Sequence, residues 1–107
     1  MGDSGYQNDI DMRRPRDSVA GYSVCPGYYE LNGAQALGYG GAVSFTVHSH
    51  GARAVELLLF SRGEKEPYAV IPYPEDYRIG DVWAMVVFDL DITKFEYAYR
   101  VDGPWDP

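Results

Sequence analysis

Residues 95–107 read Phe-Glu-Tyr-Ala-Tyr-Arg-Val-Asp-Gly-Pro-Trp-Asp-Pro, and they give the clearest indication of the fold class. It opens with strict alternation, in which every second residue is apolar: Phe95, Tyr97, Tyr99 and Val101. A period of two, carried by aromatic and β-branched residues, is typical of a β-strand with one buried face. Gly103 and Pro104 are expected to end this strand, because glycine permits a positive φ and proline cannot donate to a β-ladder.

Short apolar or alternating segments recur upstream of this strand, separated by turns rich in glycine and proline. We predict strands over residues 28–30, 42–48, 54–60, 68–71 and 82–88. The last of these is apolar on both faces, which indicates a central strand. Turn signals such as Asn32-Gly33 and the glycines of residues 38–41 stand between the strands. Several short strands with turns at this spacing predict an all-β sandwich.

The N-terminal quarter of the chain lacks these patterns. Residues 1–27 show neither a period of two nor one of 3.6, so we predict a flexible tail followed by one domain over residues 28–107. A basic cluster at Arg13, Arg14 and Arg16 is nearly balanced by nearby acids, which favours a solvated tail over a docking patch. The predicted core consists of Val43, Phe45, Val47, Val55, Leu57, Leu59, Val86, Tyr97 and Tyr99.

Composition and charge narrow the classes of partner. The chain has 107 residues, a formal net charge of −7 and a pI near 4.6. An acidic surface repels phosphate, which argues against nucleic acid or an anionic membrane as a partner. The single cysteine, Cys25, permits no internal disulfide and fits a reducing compartment. Because no apolar run approaches the length of a membrane-spanning helix and the N-terminus has no signal-peptide core, we expect a cytoplasmic protein.

The closing segment Tyr-Arg-Val-Asp-Gly-Pro-Trp-Asp-Pro resembles the end of the N-terminal domain of isoamylase-type glycogen debranching enzymes. Shorter matches lie upstream: Asn-Gly-Ala-Gln-Ala-Leu-Gly (32–38), Val-Ser-Phe-Thr-Val-His-Ser (43–49), Val-Glu-Leu-Leu-Leu-Phe (55–60) and Gly-Asp-Val-Trp (80–83). In that family a domain of carbohydrate-binding module family 48 precedes a catalytic barrel of glycoside hydrolase family 13. The resemblance implies an immunoglobulin-like β-sandwich here, with the catalytic acids in the barrel.

The residues themselves offer little catalytic chemistry. His48 and His50 form a His-x-His pair, but no third ligand has suitable spacing, so exposed or turn histidines are the favoured interpretation. Cys25 lies beside Pro26 in the predicted tail, which favours an incidental thiol. Glycoside hydrolysis needs two carboxylates held across a cleft, whereas the acids of this chain fall mostly in turns. We therefore predict no catalytic residue, no metal ion and no cofactor.

Exposed aromatic rings are the residues on which sugars pack. Trp105, in the closing turn, is the best candidate, and Tyr68 and Trp83 are weaker ones. The resemblance implies the same role for Trp105, because in glycan-binding relatives a tryptophan at the matching place after Val-Asp-Gly stacks on glucose. Those relatives use a second tryptophan in the loop that corresponds to residues 61–67, where this chain has no aromatic residue. Packing against a catalytic barrel explains Trp105 equally well, and core packing is the favoured interpretation of Trp83.

The function that follows from this resemblance is that of a non-catalytic N-terminal domain of a glycogen-debranching α-1,6-glucosidase. Such a domain would brace the catalytic barrel and contact α-glucan weakly. A free-standing weak glycan-binding module and a protein-interaction β-sandwich remain the alternatives. Glycogen retention in a native gel separates these two alternatives from each other.

Overall fold

The computed structural model describes residues 13–103, which form two antiparallel sheets. The strands are β1 (Asp17–Val19), β2 (Tyr22–Pro26), β3 (Gly33–Ala36), β4 (Val43–His48), β5 (Ala54–Ser61), β6 (Ala69–Pro72), β7 (Arg78–Ile79), β8 (Val82–Val87) and β9 (Phe95–Asp102). Sheet A has the order β1-β2-β8-β4-β3, with β7 also paired to β8, and sheet B has the order β6-β5-β9. The short 3-10 helix Glu75–Tyr77 connects β6 to β7. This architecture confirms the predicted all-β sandwich.

The two sheets bury one common core. On β5, Val55, Leu57 and Leu59 are fully buried and alternate with partly exposed neighbours, as their period of two predicts. Val43 and Phe45 of β4 belong to the same buried cluster, so these five predicted core residues are confirmed. No helix within residues 13–103 is long and apolar enough to cross a membrane.

Sheet A is also covered on its other face. Strand β8 lies between β4 and β2, and Trp83 to Val87 are buried without exception. Val86 belongs to a second cluster with Cys25, Ala42 and Phe88, against which Tyr28, Leu37 and Tyr39 pack. The prediction of a central strand with two apolar faces is therefore confirmed, and Val86 is buried in this second cluster.

The prediction of a flexible tail up to residue 27 is wrong for β1 and β2. These strands form a hairpin whose turn residues, Ala20 and Gly21, have φ of 52° and 85°. Positive φ at both positions is the turn geometry that matches the twist of paired strands. Alanine rarely adopts this conformation, so the sequence signal for the hairpin is weak. β2 pairs with β8, and Val24 is fully buried; residues 1–12 lie outside the described part of the chain.

The strand predicted over residues 28–30 is also wrong. Residues 28–30 do not form a strand, and a turn here is closed by the Leu31 N–H, which donates to the Tyr28 carbonyl (3.2 Å). Beside β4, the edge of sheet A is instead formed by β3, which begins at Gly33 with φ of 75° and pairs there with Thr46. Asn32-Gly33 therefore lies at the start of a strand. Gly33 adopts a positive φ, which glycine permits, and its backbone still pairs with the neighbouring strand.

Strand β9 is the edge of sheet B and pairs with β5 along all eight of its residues. Its apolar side chains lie on the side of the core, as predicted, but their burial is incomplete. Tyr97 is 40% exposed, which contradicts its predicted place in the core, and Tyr99 and Val47 are only partly buried. An edge strand has a neighbour on one side only, so the flank of its side chains stays open.

Candidate functional site

The structure places two of the three predicted sugar-contact residues, Trp83 and Tyr68, in different surroundings. Trp105 lies outside the described residues 13–103. Trp83 is 1% exposed, and its ring meets Tyr73 edge to face at 6.2 Å between centroids. The Arg78 guanidinium lies 5.3 Å from the Trp83 ring centroid. This burial contradicts a sugar-contact role for Trp83, because both faces of β8 are covered.

Tyr68 is accessible, with half of its surface (50%) exposed. Its backbone N–H donates to the Leu59 carbonyl at 2.8 Å, which fixes it at one end of sheet B. Partial burial of the phenol and the charges of Tyr22 and Asp91 raise the pKa of Tyr68. Gly103 follows β9 at the opposite end, where Asp102 pairs with Ala54. Ala54 and Leu59 are five residues apart on one strand, so these two ends are separated by about 17 Å.

A cleft of about 410 Å³ lies at the Gly103 end of sheet B. Its walls come from the ends of β5, β6 and β9: Ala54, Val55, Glu56, Pro72, Tyr73, Arg100, Val101 and Asp102. The Arg100 Nε donates to the Glu56 Oε1 at 2.6 Å across the outer face of the sheet. Apolar walls with a few charged hydrogen-bonding groups are the composition that small polar ligands require.

Gly103 sets the path of the chain beside this cleft. The sequence suggests that glycine is needed here for a positive φ, but Gly103 does not have a positive φ. A Cβ at Gly103 would lie 2.9 Å from both the Ala52 Cα and the Gly51 carbonyl oxygen. The residue is glycine because two backbone segments approach closely, and the Arg53 N–H donates to the Asp102 carbonyl at 2.7 Å in the same place.

A second cleft, of about 700 Å³, lies over the outer face of sheet A. Its lining includes the three arginines of the predicted basic cluster together with Cys25, Tyr29 and Glu30. Arg16 is held by the carboxylates of Asp17 and Asp76, so its charge is already balanced. Cys25 is buried on β2, which corrects its assignment to a tail, and burial raises the pKa of its thiol.

The histidine pair separates at the end of β4. His48 is the last residue of the strand, whereas His50 lies in the following turn, where its Nδ1 is 2.9 Å from the Asp81 Oδ2. The hydrogen bond and charge of Asp81 raise the pKa of His50. Within the described residues, no group of three or more histidine, cysteine, aspartate or glutamate side chains is arranged to hold a metal ion.

Glu56 and Arg100 are the polar groups that sequence reasoning missed. Each lies on the outer side of an alternating strand, which the sequence does indicate. Their contact depends on the register that places Glu56 opposite Arg100, and alternation alone does not fix the pairing of two distant strands.

The profile of the carbohydrate-binding module 48 family, described as the isoamylase N-terminal domain, matches residues 31–107. A glycogen debranching enzyme of Cronobacter sakazakii is 36% identical over 88 residues, which is 82% of this chain and 11% of that protein. Isoamylase SU1, chloroplastic, of Zea mays is 37% identical over 70% of this chain and 10% of its own length. A glycogen debranching enzyme of Escherichia fergusonii is 38% identical over 71% of this chain and 10% of its own length. The chain spans about a tenth of these relatives, and it belongs to the carbohydrate-binding module 48 family.

Proposed function

We propose that this chain is the non-catalytic N-terminal module of a glycogen-debranching α-1,6-glucosidase, where it braces the catalytic barrel and contacts α-glucan weakly. The observation that carries the proposal is the family match over residues 31–107, together with debranching relatives of which the chain spans about a tenth. An N-terminal domain of that size leaves most of such a relative to supply the catalytic machinery. The length of the natural open reading frame tests the proposal directly, since a frame that stops at Pro107 contradicts it.

The cleft at the Gly103 end of sheet B supports the glucan contact. One of its lining residues, Asp102, is three positions before Trp105 in the sequence. The cleft offers the Glu56–Arg100 pair and Asp102 as hydrogen-bonding groups. One aromatic platform adds only about 0.5–1.5 kcal/mol beyond the burial of its area. We therefore expect a dissociation constant near the millimolar range, on the order of −4 kcal/mol.

Titration of amide chemical shifts with a linear maltooligosaccharide measures this contact. The Trp105→Ala variant should abolish binding without unfolding the domain. Tyr68→Ala is the matched control, because Tyr68 is exposed but lies at the opposite end of sheet B from Gly103. Micromolar binding that survives Trp105→Ala would contradict the assignment, and binding lost with Tyr68→Ala alone would move the site to the other end of the sheet.

The chain itself should release no reducing ends from glycogen or pullulan. Glycosidases place two carboxyl groups about 5–9.5 Å apart across the scissile bond. A catalytic barrel of the relevant kind takes about 250 residues, whereas this chain has 107. Release of reducing ends above the buffer background, undiminished by repurification, would overturn the non-catalytic role.

We also infer a cytoplasmic location without nucleic-acid or membrane partners. The net charge of −7 and the buried, unpaired Cys25 support this inference. The name of the maize relative places that protein in the chloroplast instead. Fractionation of cells that carry the natural gene distinguishes the locations.

A further inference from the structure

Within the described part of the chain, strand β9 is a long edge strand of sheet B that is paired on one side. Among the strands of residues 13–103 it pairs with β5 alone, although it extends over eight residues. Proteins usually protect such edges with short strands, charged side chains, proline or bulges, because exposed N–H and C=O groups attract another strand. Of these devices β9 has the charged side chains, at Glu96, Arg100 and Asp102. The opposite edge of sheet B is different, since β6 has four residues and ends in Pro72.

The apolar side of β9 is also incompletely covered. Tyr97 and Val101 are 40% and 45% exposed, and Phe95 and Tyr99 are only partly buried. Tyr97 contacts Phe45 and Tyr99 edge to face, with ring centroids 5.5 and 5.7 Å away. An apolar strip therefore borders the unpaired edge, on the side of the strand that faces the core.

The sequence of this edge is complementary to itself when read in the opposite direction. Residues 94–102 are Lys-Phe-Glu-Tyr-Ala-Tyr-Arg-Val-Asp, with Ala98 at the centre. Lys94 is the residue immediately before β9, and its Nζ lies 3.9 Å from the Asp91 carboxylate. In an antiparallel pair centred on Ala98, Glu96 lies opposite Arg100 and Lys94 opposite Asp102. On the other face Tyr97 lies opposite Tyr99, and Phe95 opposite Val101. Every charged residue thus meets an opposite charge, and every apolar residue meets an apolar one.

We propose that two copies of this chain associate through β9, antiparallel and in the register centred on Ala98. A two-fold axis perpendicular to sheet B relates the copies, so each keeps its charged side chains on the outer face and its apolar ones toward the core. Sheet B then continues across the dimer in the order β6-β5-β9-β9-β5-β6. Opposite charges directly across a strand pair stabilise it, and like charges destabilise it.

The neighbouring contacts fit this arrangement. Arg100 already bonds Glu56 on its β5 side, and its guanidinium retains donors for Glu96 of the second copy on the other side. Because a two-fold axis relates the copies, Glu96 of each copy contacts Arg100 of the other, so this attractive pair occurs twice. The half-exposed Tyr97 and Val101 become covered by the equivalent strip of the second copy.

Light scattering coupled to size-exclusion chromatography tests the association with the chain as it is. The wild type should approach twice the 12.0 kDa mass of one chain as its concentration rises. Glu96→Arg places two arginines opposite each other at two sites, so it should raise the dimer dissociation constant at least about tenfold. Glu64→Arg is the matched control, because it makes the same change in the exposed loop between β5 and β6.

A mixing experiment identifies the register. The double variant Glu56→Gln, Arg100→Glu places glutamates opposite Glu96 and should also be monomeric. Arg100→Glu alone would put a negative charge next to Glu56 of the same chain, and Glu56→Gln removes that repulsion. Mixed with Glu96→Arg, the double variant restores both opposite-charge pairs, so a heterodimer should form. Circular dichroism melting of each variant separates loss of association from loss of fold.

Each outcome decides the proposal. Restoration of the dimer by mixing supports it, as does slower hydrogen exchange of β9 amides at high protein concentration. A wild type that stays monomeric at all concentrations overturns it, and so does a dimer that Glu96→Arg leaves intact. None of these readouts depends on glucan binding or on a catalytic barrel, so the proposed function and this association fail independently.

Discussion

Strands β8 and β9 show opposite relations between sequence pattern and burial. β9 has the cleaner alternation of apolar and charged residues, yet none of its residues reaches full burial. β8 has no alternation, and its residues from Trp83 to Val87 are all buried. The difference comes from position, because β8 has strands on both sides and covered faces, whereas β9 is an edge. Alternation reports which side chains point toward the core, and the neighbours of the strand decide how far they are buried.

The largest expected effect is at Trp83 on β8. Replacing this buried ring by alanine removes its packing and leaves a cavity, so Trp83→Ala should lower the free energy of unfolding by about 3–5 kcal/mol. Tyr97→Ala on β9 should cost clearly less, because the Tyr97 ring is 40% exposed. Urea denaturation followed by circular dichroism measures both. Equal losses for the two variants would mean that β9 is as well packed as β8.

A second comparison uses one chemical change at two depths. Val24→Ala on β2 removes two buried methyl groups and should cost about 2 kcal/mol. Val101→Ala on β9 makes the same change at a side chain that is 45% exposed, so it should cost less than about 1 kcal/mol. Thermal or urea unfolding distinguishes these values. If Val24→Ala had no effect, residues 22–26 would behave as the tail that the sequence predicts.

The smallest expected effect concerns the turn that carries His50. Its hydrogen bond to Asp81 raises the pKa of His50 and lowers that of Asp81. The histidine contribution is therefore complete below its unfolded pKa and disappears as the pH rises through its raised folded pKa. The aspartate contribution disappears as the pH falls through its lowered folded pKa, so the pair stabilises the fold only between these limits.

Melting temperatures of the wild type and His50→Gln check this sign. The wild type should be slightly more stable at about pH 5.5, and the difference should shrink at about pH 8.5. His48→Gln is the control, because His48 ends β4 outside this contact. A difference between the wild type and His50→Gln that grows with pH would contradict the assigned pair.

Much of the fold was accessible from local pattern. The strands predicted over residues 42–48, 54–60 and 82–88 agree with β4, β5 and β8 to within a residue at each end. Their inner faces are long, apolar and regular, so a period of two or an apolar run identifies them. The hairpin of β1 and β2 was missed because its Ala20-Gly21 turn lacks the usual asparagine or aspartate.

The candidate site was less accessible because it depends on contacts between distant segments. The two apolar faces of β8 already favoured core packing for Trp83, and its burial agrees with that interpretation. Glu56 and Arg100 are 44 residues apart, and the strand register alone brings them together. Single-sequence patterns constrain neighbours along the chain and carry little information on pairing across it.

Local patterns along the chain were enough to identify the two-sheet, all-β class, the inward side of β5 and β9, and the family resemblance of the closing segment. The sequence also contains the charge symmetry around Ala98, which is a property of the linear order of residues. Three features became visible in the folded chain: β9 is an edge strand of sheet B, β2 is part of sheet A, and Gly103 permits a close backbone approach. The physical reason is that burial and edge exposure are set by which segments become neighbours in space, and that choice depends on the packing of the whole chain.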